Sequence, residues 1–164
     1  MRRTAERAAK ACSILPSASK AELEAALALA RKGVELDQDG RWREWRQLAL
    51  GMAEYRSGHF AAALEALVAA KAGPNNPQVT GIAAFYRALS LFCEGKEEAR
   101  KLALAAAAKM KPLPKDEQNP LANKSTHDDL ILWLAYKEAQ SMIKFAAGPP
   151  PRGENDQKSS GPAF

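Results

Sequence analysis

Three stretches of this chain carry side chains capable of chemistry. His127, Asp128 and Asp129 are consecutive and supply the imidazole and carboxylates from which a metal site or an acid–base pair can be built. Successive residues on a helix point about 100° apart, however, so three in a row do not converge on one ion. Thr126, just before them, is a helix-capping residue type, and carboxylates in a first turn complement the positive end of the helix dipole. Capping is the preferred reading. His59 stands in a turn before Phe60 with no companion nearby in sequence, and is expected to be solvated. The run Arg41-Trp42-Arg43-Glu44-Trp45-Arg46 interleaves cations with indole rings, which can hold phosphates and stack on bases. Trp42 and Trp45 are also three apart, so on a helix they share a face and can cover a neighbour while the arginine stems reach outward.

Other chemistry lacks its parts. Cys12 and Cys93 are the only cysteines, far apart and in helical surroundings. They form neither a disulfide framework nor a zinc site, read as small buried hydrophobes, and suit a reducing interior. No nucleophile–base pair, metal-ligand spacing or phosphate-cradling glycine loop is present, so the reading is not an enzyme, with no metal and no cofactor. No apolar run approaches the roughly 20 residues of a membrane span, and the basic N-terminus is not followed by an apolar signal core. A cytoplasmic protein without a membrane partner is expected. The net charge of +5 favours acidic partners but is spread along the chain without a dense block.

The elements that position these residues are helical. Alanine dominates the apolar fraction, Val and Ile are scarce, and no stretch alternates with period two. Seven helices are predicted, over about Arg3–Leu15, Ser19–Leu36, Trp42–Arg56, Phe60–Ala72, Gln78–Glu94, Lys96–Lys111 and Thr126–Phe145. Ser19 with Glu22 forms a capping box, and Gly58 and Gly95 suit left-handed helix ends. In the fourth helix Leu64, Leu67 and Val68 are expected to face inward; in the seventh, Leu130, Trp133, Leu134, Met142 and Ile143 form the apolar face. Residues 3–145 make one helical domain closed by the helix over 126–145. Residues 146–164, rich in Gly, Pro and polar side chains, are expected to form a disordered tail.

The pattern repeats. Leu36-Asp37-Gln38-Asp39-Gly40 recurs in character as Gly73-Pro74-Asn75-Asn76-Pro77, and Gly58 recurs as Gly95, both 37 residues on. Such a period marks tandem helical hairpins that must stack to bury their apolar faces. Within the best copy, Leu50-Gly51, Tyr55, Ser57-Gly58, Phe60, Ala63, Leu64, Leu67 and Ala70 closely resemble a tetratricopeptide repeat. Gly51 and Ala63 are small where two helices cross, while Leu50, Phe60 and Leu67 fill the gaps around the crossing. Departures include Gln47 at the family's early tryptophan position and Glu54 at its later aromatic one, with Tyr55 one place on. A narrower resemblance links Ala5–Lys10, Leu48–Gly58 and Trp133-Leu134 to helical-repeat tails of some bacterial serine/threonine protein kinases, although no kinase loop is present.

The resemblance implies an all-α fold of stacked antiparallel hairpins wound into a right-handed superhelix. It further implies a non-catalytic scaffold that binds a protein or peptide, or the accessory region of a bacterial signalling kinase. In such arrays the first helix of each pair lines the groove, which places Trp45, Leu48, Met52, Tyr55, Arg56, Phe85 and Leu89 as partner-binding residues. The same residues can instead be covered by the last helix. The alternative function is a basic helical protein associated with nucleic acid.

Overall fold

The computed structural model describes residues 2–16, 19–36, 40, 42–71, 76–114, 116–122 and 124–145, with side chains from residue 6. Among them are seven helices and no strand: α1 Arg2–Ser13, α2 Lys20–Glu35, α3 Arg43–Arg56, α4 Phe60–Ala69, α5 Pro77–Cys93, α6 Glu98–Ala107 and α7 His127–Ile143. The predicted tail, 146–164, lies outside the described residues, as do Arg41 and the turn residues 37–39 and 72–75.

Local chemistry sets most of the ends. Ser19 Oγ accepts from the Glu22 amide at 3.3 Å while the Ser19 amide donates to Glu22 Oε2 at 2.7 Å, a reciprocal cap that opens α2. Those hydrogen bonds hold the Glu22 carboxyl below its usual range. Asn76 caps α5 through Val79, with Pro77 at the first helical position, where a missing N–H costs nothing. The closing turns of α3 and α5 are built alike. Gly58 and Gly95 take φ of +79° and +70°. The next amides, of His59 and Lys96, reach back to Glu54 O and Leu91 O, both at 2.9 Å. The 37-residue recurrence is therefore a recurrence of backbone geometry. The sixth helix is shorter than expected: Lys109 donates to Ala106 O, a tighter turn, so the helix is over before Pro112 is reached.

Each odd helix packs against the next odd helix, α1 on α3, α3 on α5 and α5 on α7. Each even helix packs against the odd helix before it and the one after it, and the even helices do not touch one another. Close approach depends on glycine at two crossings. A Cβ on Gly51 would run into Leu67 Cγ on α4, and one on Gly81 would lie 2.7 Å from Leu132 Cδ1 on α7. Ala63 and Ala70 are fully buried beside the first crossing, with Phe60 partly buried against the same core. The main core runs through α3 to α7, and a smaller cluster of Ala9, Leu27, Ala30 and Ala53, with Leu50 against it, joins α1 and α2 to α3.

Some expected faces are corrected. Leu67 is buried, but Val68 is 53% exposed. On α7, Ile131, Leu132, Ala135 and Tyr136 are buried along with Trp133 and Ile143, so the helix is covered on a wider arc than its predicted stripe. Cys12 and Cys93 are exposed, each in the final turn of its helix.

Candidate functional site

The residues expected to line a groove are drawn together, and most are sealed. Leu48, Met52, Phe85 and Leu89 have no exposed surface, and Tyr55 has almost none. The Phe85 ring meets the edge of Tyr136 on α7 at 5.7 Å, and Tyr136 in turn meets Phe145. α7 lies beside α5 as a further layer, so these side chains do not form an open surface. Trp45 is only partly buried, at one end of the face.

Arg56 sits in the middle of this seam. Its Nε donates to Ser13 O and its Nη2 to Ile14 O, each at 2.8 Å. These carbonyls close the C-terminus of α1, where backbone acceptors lack helical partners and the dipole is negative. The same guanidinium forms a two-pronged pair with the Glu138 carboxylate on α7 and donates to Tyr86 Oη on α5 at 3.1 Å. Tyr86 Oη donates onward to Ser13 O at 3.2 Å, and Tyr55 Oη donates to Glu138 at 3.3 Å. One cation thus joins four helices. Burial works against its charge, but the Glu138 carboxylate outweighs this and raises the Arg56 pKa. Burial pushes the Tyr86 hydroxyl up to about 12 and Tyr55 up as well.

At the open end of the seam lies a cavity of about 200 Å³ that includes Trp42, Trp45, Arg46, His127 and Asp128. Lys10 closes it: the Nζ is 3.4 Å from Glu6, 3.7 Å from Asp128 and 4.3 Å from the centre of the Trp45 ring. The indole face that could stack on a base is covered by this ammonium. Asp129, next in sequence, is turned away and buried. It accepts from Thr126 N and Lys111 Nζ, both at 2.9 Å, and from Gln78 Nε2 at 3.2 Å. Burial would raise its pKa, but these donors prevail and hold it at about 2. His127 Nε2 lies 3.3 Å from Asp128, whereas Asp129 has partners of its own, so the three do not converge on one point, and Thr126 with Asp129 forms the helix cap. His59 is half exposed but does have a partner: its Nδ1 is 2.8 Å from Glu54, which Arg31 also grips. That partner is five residues back, across the glycine turn. Among the described residues no group of three or more His, Cys, Asp or Glu could hold a metal ion, and no helix is long and apolar enough to cross a membrane.

The second concavity was not anticipated. Because α4 and α6 do not touch, α5 is left uncovered between them, and a cleft of about 660 Å³ opens there. Its walls are mostly aliphatic, with Leu67, Ala84, Leu102 and Met110 among them, and its only charged lining residues are Lys71, Arg87 and Lys109. None of these three cations has an ion-pair or hydrogen-bond partner among the described residues, and Arg87 Nε is buried without an acceptor. A guanidinium amid the alanines of α5 is a visible sign in the sequence, but its lack of a carboxylate partner is visible only in three dimensions. Glu138 was also missed, since beside Lys137 it reads as an ordinary solvated residue.

No family model, curated protein or solved structure matches this chain.

Proposed function

We infer that the chain is a non-catalytic protein-binding module of tetratricopeptide-like construction. The observation that carries this reading is the cleft over α5, an apolar trough whose cations have been left without internal partners. Buried polar atoms in folded proteins are almost always satisfied, so this nitrogen calls for a water, an ion or a ligand group to accept from it. Supporting it, odd helices stack side by side and even helices fill the outer layer, the arrangement expected of stacked hairpins with α7 as a closing helix. The kinase-tail resemblance narrows the proposal to the accessory, partner-holding region of a signalling kinase. The expected groove contributes differently: its residues serve as cohesion, and at its Trp42–Trp45 mouth a ligand would have to displace Lys10 from the Trp45 ring.

The test is a photoreactive amino acid placed in turn at Thr80 and Ala105 in the cleft, Trp42 at the mouth and Ala25 on the outside of α2, with irradiation in cells. A discrete protein adduct at the cleft or mouth, missing at Ala25, is the expected result. Adducts no different from Ala25 at all three test positions would reject a binding role.

A further inference from the structure

We propose that the cleft between α4 and α6 docks an amphipathic helix with two acidic residues set two turns apart, with apolar residues between them. The proposal rests on the protein-binding reading and gives it a partner chemistry. Pro77 to Arg87 spans the floor, and ten residues of helix at about 1.5 Å each make a trough about 15 Å long. That length suits roughly three helical turns of a partner and exceeds the reach of a single small anion. The cations stand at its two ends. Lys71, just past the end of α4, and Lys109, just past the end of α6, flank the start of α5. Arg87 lies seven residues beyond Thr80, about 10 Å further along.

Acidic residues at i and i+7 of a bound helix would meet both ends, while apolar residues at i+3 and i+4 would face the aliphatic walls between. The floor permits close approach because Ala83, Ala84, Ala105 and Ala106 are small. Once the Arg87 side chain turns to bring Nε to the cleft, a carboxylate can take it together with a terminal nitrogen, the two-pronged geometry in which Arg binds carboxylates best. This would satisfy the buried Nε. Among the described residues the cleft contains no carboxylate to oppose such a ligand. A cationic or uncharged helix would leave that nitrogen orphaned.

The experiment uses the full chain and a synthetic, fluorescein-labelled helix bearing Glu at i and i+7 and Leu at i+3 and i+4. Fluorescence anisotropy should show saturable binding. It should weaken by about tenfold or more in R87Q and in the K71E/K109E pair, with unchanged far-UV circular dichroism in both. Lys71 and Lys109 are exposed and unpaired, so the second variant keeps the test valid if the first disturbs the fold. A peptide with Lys in place of Glu should not bind. Equal binding of that peptide would overturn the proposal, as would indifference to both variants. So would stronger binding of an oligonucleotide or an anionic vesicle at the same residues, or self-association through the cleft without peptide. Adducts from Trp42 but none from Thr80 or Ala105 would sink this proposal while leaving the broader reading intact. Loss of adducts everywhere would sink both.

Discussion

The inner seam and the outer cleft treat arginine in opposite ways. Arg56 is one of the most heavily bonded side chains in the molecule, with two helix-end carbonyls, a tyrosine and a carboxylate around it. Arg87, on the neighbouring helix, has a buried nitrogen with no acceptor among the described residues. Both are long cations on odd helices within the same repeat pattern. The difference teaches that position in such an array does not decide whether a charge binds the protein together or faces a partner; the presence of an internal counter-charge does. Glu138 supplies that counter-charge for one, and no described residue supplies it for the other.

The contrast is most sharply tested by removing the two guanidinium groups in turn. Arg56→Ala leaves the partly buried Glu138 carboxylate without its counter-charge and takes the side-chain donor from Ile14 O, and should cost about 3–5 kcal/mol in urea unfolding. A loss under about 1 kcal/mol would show that the seam's polar bonds contribute little. Alkaline pH attacks the same place. Tyr86 is neutral in the fold with its pKa at about 12, above the ordinary value of 10.0. Its contribution is therefore complete below pH 10 and falls away as the pH rises toward 12, where a phenolate could no longer donate to Ser13 O.

Asp129 lies between the two extremes, a buried carboxylate satisfied by the half-exposed Lys111. Its folded pKa of about 2 lies below the ordinary 3.8, so its stabilisation is present above pH 4 and is lost as the pH falls toward 2. Asp129→Asn should remove about 2 kcal/mol at neutral pH and flatten the acid limb of the stability curve. An unchanged acid limb would show that another carboxylate governs it.

The smallest effect is expected at the cleft. Arg87→Met replaces an unsatisfied cation with an apolar chain of similar length, and should change stability by no more than about 0.5 kcal/mol, or raise it. A large loss would mean that Arg87 holds the fold after all, and would erase the contrast with Arg56.

Features set by near neighbours were legible from the residues alone. The Ser19–Glu22 and Thr126–Asp129 caps and the Gly58 and Gly95 turns were in that group, each depending on residues within a few positions. Helix number and most boundaries followed from these, as did the small residue at Gly51. Features set by distant partners were not legible. The Arg56–Glu138 pair spans 82 positions. The exposure of Cys93 and Val68 depends on which side of a helix the next layer takes. Likewise, the seven groove residues could be named as one cluster, but whether that cluster faced water depended on where α7 came to rest. The cleft was hidden for a related reason: it exists because two helices fail to meet, and no residue pattern records a gap.

Lys10 adds a consequence of its own. In a linear stack of hairpins each unit feels only its immediate neighbours, and the ends fray independently of the middle. Here the first helix reaches the last through the Lys10–Asp128 contact and through the arginine that holds both. Its own apolar anchorage is slight, mostly alanine. The chain should therefore melt in a single cooperative step, with α1 amides exchanging as slowly as those of α5, and severing this tie should let the first hairpin peel away alone.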